Sequence, residues 1–144
     1  MSQIDISELS ILLVEPSATQ LKIILKLLAK EGITSIEGVT TGADALHSIE
    51  QYPPDLIMSS MYLPDMTATE LVRSIKATDI GNEIPFMLVS SETDFQTLDP
   101  IRQAGVVAIL PKPFTANDLA RALAATLEFI DPEELSLDHY DIED

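Results

Sequence analysis

The chain has 144 residues, of which 46% are hydrophobic, and this composition favours one folded domain and argues against intrinsic disorder. It contains no cysteine, which excludes disulfides and thiolate chemistry, and its net charge of −16 argues against binding to nucleic acid or to anionic membranes. No signal-peptide pattern and no apolar run near the roughly 18 residues of a membrane span is present, so a cytoplasmic protein is expected.

Five short apolar runs alternate with helical periodicities along the chain. The predicted strands are residues 10–14, 33–39, 55–60, 85–89 and 106–110. Continuous apolar runs of this length are typical of strands that are buried on both faces. Strands that alternate with helices imply right-handed crossovers, so the sequence predicts an α/β fold with a parallel sheet covered on both sides.

The helices between these strands differ in the strength of their signals. The first has an apolar stripe at 21, 24, 25 and 28, and the last begins at a capping box formed by Thr115 and Asp118. The fourth contains Pro100, which removes a backbone donor, so we expect that helix to be short or to begin again at Pro100 with Asp99 as its cap.

The charge of the chain is concentrated near its end. Residues 128–144 carry eight acids and no Lys or Arg, which is half of the net charge. We therefore divide the chain into a domain, residues 1–130, and an acidic tail, residues 131–144. A solvated tail is the expected state of such a run. A linker into a further domain, or docking of its apolar residues on the domain or on a partner, are the alternatives.

Polar residues follow four of the predicted strands, where sites lie in parallel α/β sheets. They include Glu15, Ser60, Ser90 and Lys112. The flanking segments are ILLVEPS, PDLIMSSMYLPDM, IPFMLVSS and AGVVAILPKPF. With these four segments in this order, residues 9–130 resemble the receiver domains of two-component response regulators. The resemblance implies a flavodoxin-like three-layer sandwich with a five-stranded parallel sheet of order 2-1-3-4-5 and five helices.

The resemblance also implies a site, and this chain departs from it. In the family an acidic pair binds Mg²⁺, an Asp at the end of the third strand accepts a phosphoryl group, and a Ser or Thr and a Lys bind the phosphoryl oxygens. The matching positions here are Glu15 and Pro16 for the pair, Ser60 for the acceptor, Ser90 for the hydroxyl and Lys112 for the lysine. The family's aromatic switch position falls on Ile109.

These departures predict a degenerate phosphorylation site. Phosphoryl transfer needs a carboxylate nucleophile and a charge-neutralising metal, whereas Ser60 offers a neutral hydroxyl and Pro16 no side-chain ligand. We expect no enzyme activity, no metal and no cofactor, with Mg²⁺ binding improbable. Lys112 is expected to pair with Glu15 and to donate to Ser60 or to strand-end carbonyls. The alternatives are phosphorylation of Ser60 by another kinase, Asp65 as a substitute acceptor, and binding of a small anion by Lys112 and Ser90.

The predicted function is a phosphorylation-independent protein-binding module in signal transduction. The expected partners are signalling proteins such as a histidine kinase, a chemotaxis protein or an output domain. The expected contact surface, also a candidate homodimer interface, comprises the fourth helix, fifth strand and fifth helix, with contact residues Ile101, Ile109, Phe114, Leu119 and Ala122. The main alternative is an auxiliary domain that acts in cis within a longer response regulator.

Overall fold

Strands and helices alternate along residues 6–130, the part of the chain that the computed structural model describes. The strands are β1 (Ser10–Val14), β2 (Ser35–Val39), β3 (Leu56–Ser60), β4 (Phe86–Ser90) and β5 (Ala108–Pro111). The helices are α1 (Ala18–Lys30), α2 (Gly42–Gln51), α3 (Ala68–Lys76), α4 (Phe95–Ala104) and α5 (Ala116–Ile130), with 3₁₀ turns at Ile6–Glu8 and Gly81–Glu83.

The five strands form one parallel sheet in the order β2-β1-β3-β4-β5. Every pairing is parallel, with β1 between β2 and β3, and β4 between β3 and β5. The predicted fold class and strand order are therefore confirmed. The predicted strand ends differ from the observed ones by at most two residues, because hydrophobicity marks the buried run and not the first paired residue.

Side chains of the central strands alternate between two hydrophobic cores. Leu12 and Val14 point to the core beneath α2, α3 and α4, whereas Ile11 and Leu13 point to the core beneath α1 and α5. All residues of β3 and β4 are buried, as expected for strands covered on both faces. This arrangement leaves the carboxyl ends of the strands as the edge at which polar side chains meet.

Helix α4 differs from its prediction. It runs without interruption from Phe95 to Ala104 with Pro100 inside it, so the expected restart at Pro100 is wrong. Leu98 and Ile101, on either side of the proline, are both buried in one core. Their packing outweighs the roughly 3 kcal/mol that an interior proline costs. Asp99 does not cap a new helix, because its carboxylate accepts a hydrogen bond from the Gln103 side chain at 2.9 Å.

The starts of the other helices follow from capping side chains. Ser17, Thr41 and Thr67 each precede a helix and accept a hydrogen bond from the backbone N–H three residues later. At the start of α5, the Thr115 N–H donates to Asp118 and the Asp118 N–H donates to the Thr115 hydroxyl. The predicted capping box of the last helix is therefore confirmed.

Two of the five residues predicted to contact partners lie in the core. Ile101 and Leu119 are fully buried, and packing of their side chains under α4 and α5 leaves no surface for a partner. Their choice as contact residues is therefore corrected. Ile109, Phe114 and Ala122 are half-buried and keep part of their surface exposed.

The predicted acidic tail, residues 131–144, lies outside the described residues. Within residues 6–130 no helix is both long enough and apolar enough to cross a membrane.

The burial of Leu119 predicts a large stability effect. We expect Leu119→Ala to lower the free energy of unfolding by about 2–5 kcal/mol, because it leaves a cavity between α5 and the sheet. The control is Phe95→Ala, which removes a larger side chain that is 68% exposed and is expected to cost less than about 1 kcal/mol. Urea unfolding of both variants tests the assignment, and equal losses would contradict it.

Candidate functional site

The carboxyl ends of four strands border one cleft. Glu15, Ser60, Ser90 and Lys112 follow or end β1, β3, β4 and β5 respectively. The cleft has a volume of about 180 Å³, and its remaining lining residues are Pro16, Met61, Tyr62, Val89, Ser91 and Glu92. The structure thus brings together all five residues of the predicted degenerate phosphorylation site, which are Glu15, Pro16, Ser60, Ser90 and Lys112.

The carboxylate of Glu15 is the centre of the hydrogen bonding in this cleft. Glu15 is only 3% exposed, and both of its carboxylate oxygens are used. Oε1 accepts from the Ser60 hydroxyl at 2.5 Å and from Lys112 Nζ at 3.2 Å, and Oε2 accepts from the Ser17 N–H at 2.9 Å. A buried carboxylate needs such partners to offset its lost hydration. Glu15 therefore holds the ends of β1, β3 and β5 and the start of α1 together.

Lys112 reaches Glu15 from the loop that follows β5. Its N–H donates to the Ser90 carbonyl at 2.8 Å, and the peptide bond to Pro113 is cis. The side chain is 25% exposed, and its ion pair with Glu15 confirms the predicted partner. Lys112 and Ser60 both donate to the same oxygen of Glu15, so Glu15 links them, instead of the expected direct bond from Lys112 to Ser60.

Ser90 takes part in a different set of contacts. Its hydroxyl oxygen accepts from the Glu92 N–H at 3.0 Å and its hydroxyl donates to the Met61 sulfur at 3.7 Å. The first contact closes the loop after β4 on itself, and the second holds the end of β4 against Met61, the residue that follows β3. Ile109 is half-buried and packs against the core beneath α2, α3 and α4, which agrees with its expected role in packing.

Asp65 lies outside the cleft and stabilises the start of α2. Its two carboxylate oxygens accept from the N–H groups of Gly42 and Ala43, each at 2.9 Å. These backbone donors hold the pKa of the Asp65 carboxyl below its usual value. Both oxygens are thus engaged at a helix N-terminus, where a negative charge is favourable.

Asp55 lies at the entry of β3, at the opposite end of the strand from the cleft. Its carboxylate accepts from the backbone N–H and from the hydroxyl of Ser10, at 2.9 and 3.2 Å. Asp55 thus joins the beginnings of β1 and β3, and it does not belong to the cleft of Glu15.

The loop between β3 and α3 is closed by its own backbone. Leu63 donates to the Met66 carbonyl at 3.0 Å, and Tyr62 and Thr67 form an antiparallel bridge. The Met66 side chain lies so close to Gly42 that a Cβ there would approach its sulfur to 2.4 Å. The loop therefore packs tightly against the start of α2, in addition to its contact through Asp65.

The residues of the cleft do not fit the requirements of Mg²⁺. This cation prefers six oxygen ligands in near-octahedral geometry, commonly with carboxylates. Pro16 offers no side-chain ligand, and the Glu15 oxygens already accept three hydrogen bonds. Within residues 6–130 no group of three or more His, Cys, Asp or Glu side chains could hold a metal ion.

The sequence interpretation missed two polar groups of the site. Ser17 supplies its N–H to Glu15 and its hydroxyl to the start of α1, and the pattern of a Ser three residues before Gln20 could have indicated the cap. Glu92 lines the cleft and binds Ser90 through its backbone. No local pattern marks this contact, because it depends on the path of the loop.

A family model described as the response regulator receiver domain matches residues 11–124. The chain is 34% identical over 121 residues to the transcription factor SKN7 of Saccharomyces cerevisiae, which covers 82% of this chain and 18% of that protein. It is 28% identical over 120 residues to the chemotaxis protein CheY of Pseudomonas aeruginosa, which covers 83% of this chain and 97% of that protein. The chain therefore spans less than a fifth of the one relative and nearly all of the other.

A solved structure gives the same fold. It is the receiver domain of a sensor histidine kinase from Pseudomonas aeruginosa PAO1, with a magnesium ion coordinated in its active site cleft. The TM-score is 0.76 at 27% sequence identity, over 83% of this chain and 97% of that chain.

The hydrogen bonds of Glu15 predict that it matters more for stability than Lys112 does. Glu15→Ala leaves the Ser60 hydroxyl, the Ser17 N–H and the lysine without their partner, and we expect a loss of roughly 3 kcal/mol. Lys112→Met removes one partly exposed donor while Glu15 keeps two, so we expect a loss of roughly 1 kcal/mol. Urea unfolding of both variants measures the difference, and a larger loss for Lys112→Met would refute this ranking.

The lowered pKa of Asp65 predicts a pH-dependent contribution to stability. Because the folded state favours the carboxylate, Asp65 contributes stability above its unfolded pKa of about 3.9, and this is lost as the pH falls through the lower folded pKa. The unmodified chain should therefore be more stable than the Asp65→Asn variant at pH 5, and this difference in the free energy of unfolding should shrink as the pH falls to 3, because Asn does not titrate. The urea midpoints of both proteins measure the difference. A difference that stays constant with pH would argue against the carboxylate as the cap.

Proposed function

This chain belongs to the response regulator receiver domain family, and we propose that it is a member that signals by binding other proteins and is not phosphorylated at its third strand. It is a receiver domain of signal transduction. In this interpretation it is not an enzyme and uses no cofactor.

The hydroxyl of Ser60 is the observation that carries the proposal. Ser60 ends β3, where the family resemblance expects the acceptor aspartate, and it donates to a buried carboxylate. A serine hydroxyl becomes a useful nucleophile only with an adjacent general base that removes its proton. Glu15 accepts this hydrogen bond, but its two oxygens also accept from Lys112 and from the Ser17 N–H, so its carboxylate is already engaged by two further donors.

The position of Lys112 supports the same conclusion. In a competent receiver, by resemblance, this lysine binds the phosphoryl group, whereas here its ammonium group contacts Glu15. An incoming anion would have to compete with Glu15 and would meet a second carboxylate, Glu92, along the same cleft. Like charges in a partly buried cleft repel each other strongly. The cleft is therefore suited to a static ion pair and poorly suited to anion binding.

The proposed partners are signalling proteins, namely a histidine kinase, a chemotaxis protein or an output domain, in the cytoplasm. Of the predicted contact residues, Ile109, Phe114 and Ala122 keep part of their surface exposed on the proposed contact surface, which α4, β5 and α5 form. The same surface is the candidate interface of a homodimer. The acidic composition of the chain argues against nucleic acid and anionic membranes as ligands.

A role in cis to another domain is the second candidate. It is favoured by the match to SKN7, in which the region similar to this chain makes up 18% of a longer protein. In that case the receiver would bind a domain of its own polypeptide through the same contact surface on α4, β5 and α5.

Acetyl phosphate tests the proposed loss of phosphorylation. The chain is incubated with acetyl phosphate and Mg²⁺ and its intact mass is measured, beside a phosphorylatable receiver that verifies the reagent. We expect no phosphoryl adduct, because Ser60 offers a neutral hydroxyl in place of a carboxylate and the residues of the cleft do not fit Mg²⁺. A matched variant, Ser60→Asp with Pro16→Asp, restores two carboxylates and is expected to gain one phosphoryl group.

An adduct on the unmodified chain would overturn the proposal, and peptide mapping would then identify its position. An adduct on Asp65 would mean that a carboxylate outside the cleft has taken over the acceptor role. An adduct on Ser60 would mean that the serine acts as a nucleophile.

A further inference from the structure

An apolar groove lies between α1 and the loop that follows β5, next to the cleft of Glu15. It has a volume of about 320 Å³, and its lining residues are Gln20, Ile23, Ile24, Leu27, Ser91, Lys112, Pro113 and Phe114. Ile23 is 47% exposed, although most isoleucines among residues 6–130 are buried. A helix that already contributes Ile24 and Leu28 to the core thus presents a second apolar surface outward.

The exposed side of α1 is also the most basic part of this acidic chain. Lys22, Lys26 and Lys30 recur at every fourth residue, so they lie on one side of the helix, and α1 contains no acid. All three are exposed, and none forms an ion pair with a carboxylate of residues 6–130. Three of the eight bases of the chain are thereby gathered beside the groove, without a partner of opposite charge in the part of the chain that the structure describes.

The topology brings the end of α5 to the same edge of the sheet as the end of α1. Both helices follow a strand of the parallel sheet and return along the same face, where Ile24 and Leu28 of α1 share a core with Leu119 and Leu123 of α5. Ile130, the last residue of α5, packs against this core as well. The chain therefore leaves α5 on the face that carries the groove, at the end where Lys30 lies.

The segment that follows has the complementary composition. Residues 131–144 contain seven acids and no Lys or Arg. Four large apolar residues lie among these acids, namely Leu135, Leu137, Tyr140 and Ile142. Exposed ion pairs contribute little binding free energy, so binding to α1 requires the apolar residues as well as the acids.

We propose that residues 131–144 bind in cis to α1, with their apolar residues in the groove at Ile23 and Phe114 and their acids against the three lysines. Reach does not limit this contact, because 14 residues extend to as much as about 46 Å and the 13 residues of α1 span about 20 Å. Attachment to α5 also supplies the segment at an effective concentration on the order of millimolar.

This contact gives the segment a regulatory role. A segment bound along α1 covers the groove and with it Phe114, which also belongs to the proposed contact surface, so a partner that binds Phe114 must displace the segment. The occupied and open states then differ in accessible apolar surface, without any phosphoryl group. Lys112 lines both the groove and the cleft of Glu15, so the ion pair of the cleft also fixes one wall of the groove.

Zero-length cross-linking of the full chain tests the proposal. A carbodiimide joins a lysine to a carboxylate only when they are in contact, and mass spectrometry of the monomer band identifies the linked residues. We expect links from Lys22, Lys26 or Lys30 to acids of residues 131–144. Few links are expected to Lys76, the last residue of α3, whose ammonium group donates to the backbone carbonyls of Asn82 and Ile84.

Variants in which no charge is changed distinguish docking of the segment from random encounter. Replacing Leu135, Leu137 and Tyr140 by Ser should lower the yield of these links about tenfold, because the apolar contribution is lost. Ile23→Ser should lower it similarly, whereas Ile80→Ser, at another exposed isoleucine, should leave it unchanged.

Three results would overturn the proposal. Unchanged yields in the Ser variants would mean that the segment meets α1 by charge alone. Equal links to Lys76 would mean that it has no preferred surface. Links found only in cross-linked dimers would mean that the groove takes the segment of a second copy.

Discussion

The burial of one carboxylate governs the arrangement of this domain's functional edge. Glu15 follows β1, which lies between β2 and β3, and it is only 3% exposed, so its charge must be offset by protein donors. The donors come from Ser17 at the start of α1, Ser60 at the end of β3 and Lys112 after β5. Each of these elements must then take a fixed position relative to β1. The shape of the cleft and of the neighbouring groove follows from that requirement.

The same requirement limits what the cleft can do. A site that transfers a phosphoryl group keeps a nucleophile and cationic groups available for charge that appears during the reaction. In this cleft the lysine and the serine hydroxyl are both committed to Glu15, and Ser90 is committed to Met61 and Glu92. A fully satisfied polar network of this kind rigidifies its surroundings. Under the proposed function, the fold is retained while a structural arrangement takes the place of the reactive one.

The sequence predicted the sheet well because hydrophobic runs report burial directly, and β1 was located without error. It predicted α4 less well, since the cost of Pro100 is local whereas the packing of Leu98 and Ile101 depends on the tertiary structure. The strand-end residues were found because the topology alone brings them together. Leu119 was assigned to a contact surface because helical periodicity identifies an apolar stripe and does not tell which partner covers it. The capping of α2 by Asp65, from 23 residues away, has no local signal at all.

The distribution of bases links the rigid cleft to the question of regulation. A chain with 24 acids and eight bases could have dispersed its lysines to reduce self-repulsion, yet α1 carries three of them and no acid. Those lysines lie beside an apolar groove of which Lys112 forms one wall, and Glu15 holds Lys112 in place. A domain whose cleft does not change can still present two states if the surface beside the cleft is alternately covered and open. If residues 131–144 bind α1 as proposed, the two states differ in whether Ile23 and Phe114 are covered, and the ion pair of Lys112 with Glu15 holds Lys112 at the groove in both.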